Sequence, residues 1–230
     1  MGGERVMEAG MIETYPNGDA LADAAAHAIA DRLVEALRSH GRAGLVATGG
    51  RSPGPIYDRL STERALDWTR VVVTLSDERC VPADDPASNA RLVRERLLKG
   101  AAARAHLLAL WPEPEAAALA ALQPFDAVML GMGEDGHIAS LIPGDPGLED
   151  GLTSSDLTRP VPAGLGKPPV PRITLTLPTL MNARAIFLLI AGEAKRGVIG
   201  RALAGEDLPV GRLISQSKAP IRILWTPDGG

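Results

Sequence analysis

One cysteine, Cys80, occurs in 230 residues, so an internal disulfide is excluded and so is any multi-thiolate metal site. That usage suits a reducing compartment, and a cytoplasmic location is expected. No basic run is present: Lys and Arg number 24 against 28 Asp and Glu, a net charge of −4. Nucleic acid is therefore not the expected partner, because phosphate backbones are held by clustered cations. A small anion remains open to it, since a pocket needs only a few placed cations. No uninterrupted apolar stretch is long enough for a membrane span, so no membrane association is expected. The N-terminal segment has no charged head followed by an apolar run, and no signal peptide is expected.

What is present is an ordinary globular composition, 45% apolar and 23% charged, in a chain long enough to bury one generous core. Residues 1–10 are expected to be a disordered N-terminus, with 11–230 as a single α/β catalytic domain. Buried strands are expected at Gly44–Thr48, Val71–Leu75, Phe125–Leu130, Ala185–Ala191 and Ile221–Trp225, with shorter ones at His106–Leu110, Leu157–Val161 and Arg172–Leu177. Helices alternate with them. Asp19 is read as the cap of a helix to about Ser39, and further helices are expected over 54–60, 88–98, 114–122 and 194–203. The alternation implies a three-layer α/β fold on a mostly parallel sheet. Gly144–Pro171, rich in Gly, Pro, Asp and Ser, is a candidate active-site flap. His27, His40 and His106 sit apart from other chemistry and are read as surface or structural residues.

The chain is organised around Phe125–Gly144, FDAVMLGMGEDGHIASLIPG, which reads as strand, tight loop and helix start. His137 is the side chain there able to exchange a proton near neutral pH, and Asp135 is the group to orient it. The spacing of Gly131, Gly133 and Gly136 matches G-x-G-x-x-G, but no acidic residue follows a strand about twenty residues on, so it is not a dinucleotide fingerprint. A glycine turn can also be a connection and nothing more.

Other strand ends carry chemistry of their own. After Gly44–Thr48 come Gly49, Gly50, Arg51 and Ser52, a phosphate cradle without the lysine-serine/threonine ending of a nucleotide loop. A sugar phosphate suits it better than ATP. After Val71–Leu75 come Asp77, Glu78 and Arg79, which either hold a guanidinium ready for an anion or form a solvated ion cluster. After Ala185–Ala191, Lys195 falls in the first turn of a helix, a misfit with the helix dipole that a phosphate would relieve.

In the order TGGRSP, SDERCVP with Ser88-Asn89, LGMGEDGHIASLIPG, PRITLTLPTLMNA and AGEAKR, the chain resembles the 6-phosphogluconolactonases from Leu21 to Trp225. The resemblance implies a modified Rossmann-like sheet similar to that of glucosamine-6-phosphate deaminases and ribose-5-phosphate isomerases. It implies hydrolysis of 6-phospho-D-glucono-1,5-lactone in the oxidative pentose phosphate pathway. Arg51-Ser52 departs from the serine-threonine usual at that place, and Ile138 from the usual threonine. A His-Ile pair is typical of the deaminases, so a deaminase-isomerase is the alternative. Those enzymes resemble this chain in Asp77, Asp135 and His137 but carry asparagine-glutamate-proline where it has Leu141-Ile142-Pro143. A third reading is a non-enzymatic sugar-phosphate sensor, which would need no His137 beside Asp135.

On the lactonase reading, His137 and Asp135 are catalytic, while Gly49, Gly50, Ser52, Asp77, Arg79, Gly133, Arg172 and Lys195 hold substrate. Loop amides of 131–136 and Arg79 would meet the oxyanion, and Asp77 would orient Arg79 or a sugar hydroxyl. A lactone is an activated ester, so neither cofactor nor metal is expected. The sequence leaves the oligomeric state open.

Overall fold

A computed structural model describes residues 12–228; the disorder expected at 1–10 lies outside the described residues. The chain order is β1 (Ile12–Thr14), α1 (Gly18–His40), β2 (Ala43–Ala47), α2 (Gly54–Leu60), β3 (Val71–Leu75), β4 (Asp77–Arg79), α3 (Asn89–Arg96), β5 (His106–Leu107), α4 (Ala116–Ala121) and β6 (Ala127–Gly131). It continues through α5 (Leu148–Thr153), β7 (Thr158–Val161), β8 (Arg172–Leu175), α6 (Leu177–Met181), β9 (Ile186–Ala191), α7 (Glu193–Leu203), α8 (Pro209–Gln216) and β10 (Ile221–Thr226).

Seven strands form one parallel sheet in the order β1-β10-β9-β6-β2-β3-β5. β2, β6 and β9 are apolar along nearly their whole length because both faces are covered. Helices such as α1, against β2, β6 and β10, and α7, against β9, complete a three-layer α/β fold. From β2 the chain builds outward through β3 and β5, then returns to β6 on the other side of β2 and builds through β9 and β10. The switch point thus lies between β2 and β6. A crevice opens there beyond the carboxyl ends of strands whose loops diverge.

Asn17, not Asp19, caps α1: its side chain accepts the Ala20 amide at 2.8 Å. Asp19 is one position inside the helix, where its carboxylate meets the dipole. The expected helix start at 138–141 is also absent. Ile138 instead bridges to Met132 and Leu141, and no helix forms before Leu148.

A second sheet of antiparallel order β4-β8-β7 was not anticipated. It takes the charged residues read as a loop after β3 and pairs them with β8, so that Asp77 faces Thr174, Glu78 faces Ile173 and Arg79 faces Arg172. Part of the presumed flap, β7, belongs to it. α5 and β7 lie inside Gly144–Pro171, and buried Asp145 holds Arg159 at 2.5 Å. Only the loop 162–171 extends free of helix and strand toward the crevice.

Candidate active site

The crevice at the switch point has a volume of 920 Å³, and nine of the ten sequence-predicted site residues line it: Gly49, Gly50, Ser52, Asp77, Arg79, Asp135, His137, Arg172 and Lys195. The tenth, Gly133, lies beneath it.

The loop after β6 carries a paired carboxylate and imidazole. Asp135 Oδ1 is 2.6 Å from His137 Nδ1, leaving Nε2 as the ring nitrogen without a hydrogen-bond partner among the described residues. The His137 bond holds the Asp135 carboxyl below the usual carboxylate range, against the opposing effect of its partial burial. Gly133 makes the arrangement possible, because a Cβ there would overlap the His137 ring and the Asp135 carboxylate. Its amide donates to the His137 carbonyl at 2.9 Å, and the Gly136 amide donates to Gly133 at 3.1 Å. These two amides hold the loop closed and are not free for an oxyanion.

The loop after β2 is anchored from below. Buried Tyr57 donates to the Thr48 carbonyl at 2.6 Å and accepts the Thr48 amide at 2.8 Å. Burial pushes its phenol well above the usual range, so it remains a donor. Gly50 has φ of 94°, which favours glycine. A side chain at Gly49 would overlap Asn89, so backbone and Asn89 share one wall. The Asn89 amide nitrogen donates to the Asp77 carbonyl at 2.9 Å. Asn89 lines the crevice and escaped the sequence reading of site residues; its place after Ser88 in the shared motif was the available signal.

The three charges after β3 divide into separate tasks. Glu78 is buried and caps α3, accepting the Asn89 and Ala90 amides at 2.7 Å each. Asp77, also buried, accepts the Ser140 hydroxyl at 2.6 Å and lies 3.8 Å from Arg172. It therefore holds Arg172 and Ser140 rather than Arg79. Arg79 turns to the Ala87 carbonyl at 2.6 Å.

Arg79 and Arg172 are cross-strand neighbours, a pairing of like charges that destabilises a sheet unless something compensates. The Nε atoms of both are buried without a hydrogen-bond partner among the described residues. Each such unmet donor costs ~1–3 kcal/mol. Burial pulls the Arg172 pKa down, with Asp77 opposing and Arg79 reinforcing the shift. Lys195 is also lowered, first by burial, then through Arg51, while Glu134 opposes it. Arg51, Glu134, Lys167 and Glu193 complete the charged lining. Among the described residues no three His, Cys, Asp or Glu side chains gather as metal ligands. No helix there is long and apolar enough to cross a membrane.

Residues 16–225 match the family described as glucosamine-6-phosphate isomerases/6-phosphogluconolactonase. A 6-phosphogluconolactonase of Caulobacter vibrioides is 40% identical, the alignment covering 93% of this chain and 96% of that one. One of Pseudomonas putida is 39% identical over 94% and 93%. The crystal structure of a 6-phosphogluconolactonase from Shewanella baltica superposes with a TM-score of 0.87 at 36% identity, covering 95% of this chain and 98% of that one. With its sheet order, its crevice and these likenesses in agreement, the chain belongs to the glucosamine-6-phosphate isomerase/6-phosphogluconolactonase family.

Proposed function

We propose that the protein is a 6-phosphogluconolactonase, hydrolysing 6-phospho-D-glucono-1,5-lactone to 6-phospho-D-gluconate in the oxidative pentose phosphate pathway. The observation that carries this reading is the sharing of one crevice by an oriented imidazole and by cations with unmet donors. The phosphate is held by Lys195 and Arg172 with the Gly49-Gly50 turn and Ser52, which fixes the lactone through a group remote from the reacting carbon. Neutral His137 takes a proton from water at Nε2 as the water oxygen bonds to C1. The tetrahedral intermediate then collapses by breaking the bond from C1 to the ring oxygen, which receives the proton from the imidazolium.

Asp135 keeps the imidazole in the tautomer with its proton on Nδ1 and stabilises the imidazolium that forms. Arg79 is the side-chain donor for the developing oxyanion. The reaction itself needs no electron transfer, and a lactone carbonyl is electrophilic enough to be attacked by activated water. The single cysteine and the substrate's place in sugar-phosphate metabolism support a cytoplasmic enzyme.

Ile138 is the feature that favours a deaminase. The carboxylate such an enzyme would place after the histidine loop is replaced here by Ile142, which is buried and cannot titrate. Because the lactone also hydrolyses unaided, the test is its decay followed with and without the protein, beside ammonia release from glucosamine 6-phosphate. Acceleration of lactone loss without ammonia is expected. Ammonia release would transfer the protein to the isomerase branch, and phosphate-ester binding with neither reaction would make it a sensor.

A further inference from the structure

The turn that begins α7 is fixed to β10 by its backbone. Gly192 has φ of 86° and ψ of 156°, a region open to glycine without strain, so its neighbours decide which of glycine's many conformations is kept. Two contacts from β10 do so. The Gly192 amide donates to the Thr226 carbonyl at 2.9 Å, and the Trp225 indole Nε1–H donates to the Gly192 carbonyl at 3.1 Å. The first helical bond to that same carbonyl, from the Arg196 amide, is longer at 3.3 Å. Trp225 is itself fixed: the residue is 4% exposed, and the Arg196 guanidinium lies over its ring at 4.5 Å.

Gly192, Glu193, Ala194 and Lys195 all line the crevice. The amides of Glu193, Ala194 and Lys195 have no intrahelical acceptor, and among the described residues no side chain caps them. The orientation of the 192–193 peptide therefore sets where these donors and the Lys195 ammonium are aimed. We propose that Trp225 is a positioning residue for the phosphate end of the site, acting through the Gly192 carbonyl to aim the start of α7 and Lys195 at the anion. It touches no reacting atom. This role rests on the phosphate site proposed above and adds a residue that the strand pattern alone would assign to the core.

The test compares the wild type with Trp225→Phe, which keeps an aromatic ring and removes the donor. Inorganic phosphate is titrated calorimetrically, and kinetics are measured on the phosphorylated lactone and on unphosphorylated glucono-1,5-lactone. The expected result is a loss of about 5- to 10-fold in phosphate affinity and a similar rise in KM for the phosphorylated lactone, the effect of one hydrogen bond. kcat/KM for the unphosphorylated lactone stays within about 2-fold, since misaimed phosphate donors do not act on it.

Unchanged phosphate affinity, or equal losses on both lactones, would overturn the role. Should Trp225→Phe not fold, Arg196→Met, at an exposed side chain, carries the test. It releases one face of the ring and is expected to weaken phosphate about 2-fold, in line with an exposed cation–π contact; no weakening overturns the proposal. A wild type that lacks lactonase activity but whose phosphate affinity falls in the variant would remove the reaction and leave the positioning role standing. A wild type that hydrolyses the lactone yet does not bind phosphate would remove the positioning role alone.

Discussion

The two ends of the crevice are built by opposite means. The end proposed for proton transfer comes from one short loop, in which Asp135 and His137 are two residues apart and Gly133 makes room for them. The end proposed for phosphate is gathered from the turn after β2, the start of α7 and a strand of the second sheet. The difference is one of dependence. A local pair is positioned by its own backbone, whereas the cations, far apart in sequence, stay together only while the two sheets remain docked. Substitutions at the first end should therefore change the chemical step on any lactone, and those at the second should change discrimination for phosphate.

The largest effect is expected at His137. His137→Asn should lower kcat by about 10²-fold or more, as loss of a general base does, and equally for phosphorylated and unphosphorylated lactones. Near-normal turnover would break the contrast at its strong end. Next is Gly133→Ala, whose methyl group would displace the Asp135–His137 pair. A misplacement of about 1 Å typically costs about 10²-fold, so a fall approaching that of the histidine variant is expected in a folded protein, checked by circular dichroism and kcat. A normal rate would show that the pair does not need its observed geometry.

Lys195→Met should raise KM for the phosphorylated lactone about 10-fold, the scale of a hydrogen bond to a charged group, while the unphosphorylated lactone is processed as before. It is a cleaner probe than Arg172, whose removal strands buried Asp77 and threatens the fold. Equal losses on both lactones would erase the distinction between the ends.

The smallest effect is a pH dependence. Burial lowers the Lys195 pKa from 10.5, so phosphate affinity should begin to fall with rising pH before an ordinary lysine would titrate. The empty protein follows the opposite sign. Between the lowered pKa and the ordinary value the unfolded chain binds more protons than the folded one, so Lys195 makes stability rise with pH there. Denaturant titrations across that window should show this slope in the wild type and lose it in Lys195→Met.

Legibility divides along the same line. α2 and β3 have the bounds expected from sequence, because glycine, proline and unbroken apolar runs act over a few residues. The Gly131–His137 loop was legible for the same reason. The helix expected after it was not, since Ile138–Leu141 are apolar through packing into a bridged loop, and apolarity over so few residues does not distinguish the two. Asp77–Arg79 read as a loop because charged residues rarely form a buried strand; their pairing with β8 overrides that preference. Nor does the sequence separate Glu78, a helix cap, from Asp77 and Arg79 in the crevice. Alternation along a strand gives the faces, and only the neighbours give each face a purpose.

By itself the amino-acid sequence determined the alternating elements, the glycine turns at the strand ends and the adjacency of a carboxylate and an imidazole, since all of these arise from interactions between residues close in the chain. Tertiary structure decided that Arg172 lies opposite Arg79, that Gly49 yields its space to Asn89, and that Trp225 reaches the turn before α7. Those are contacts between segments distant in sequence, chosen by the burial and hydrogen bonding of the whole domain, and no local pattern encodes them.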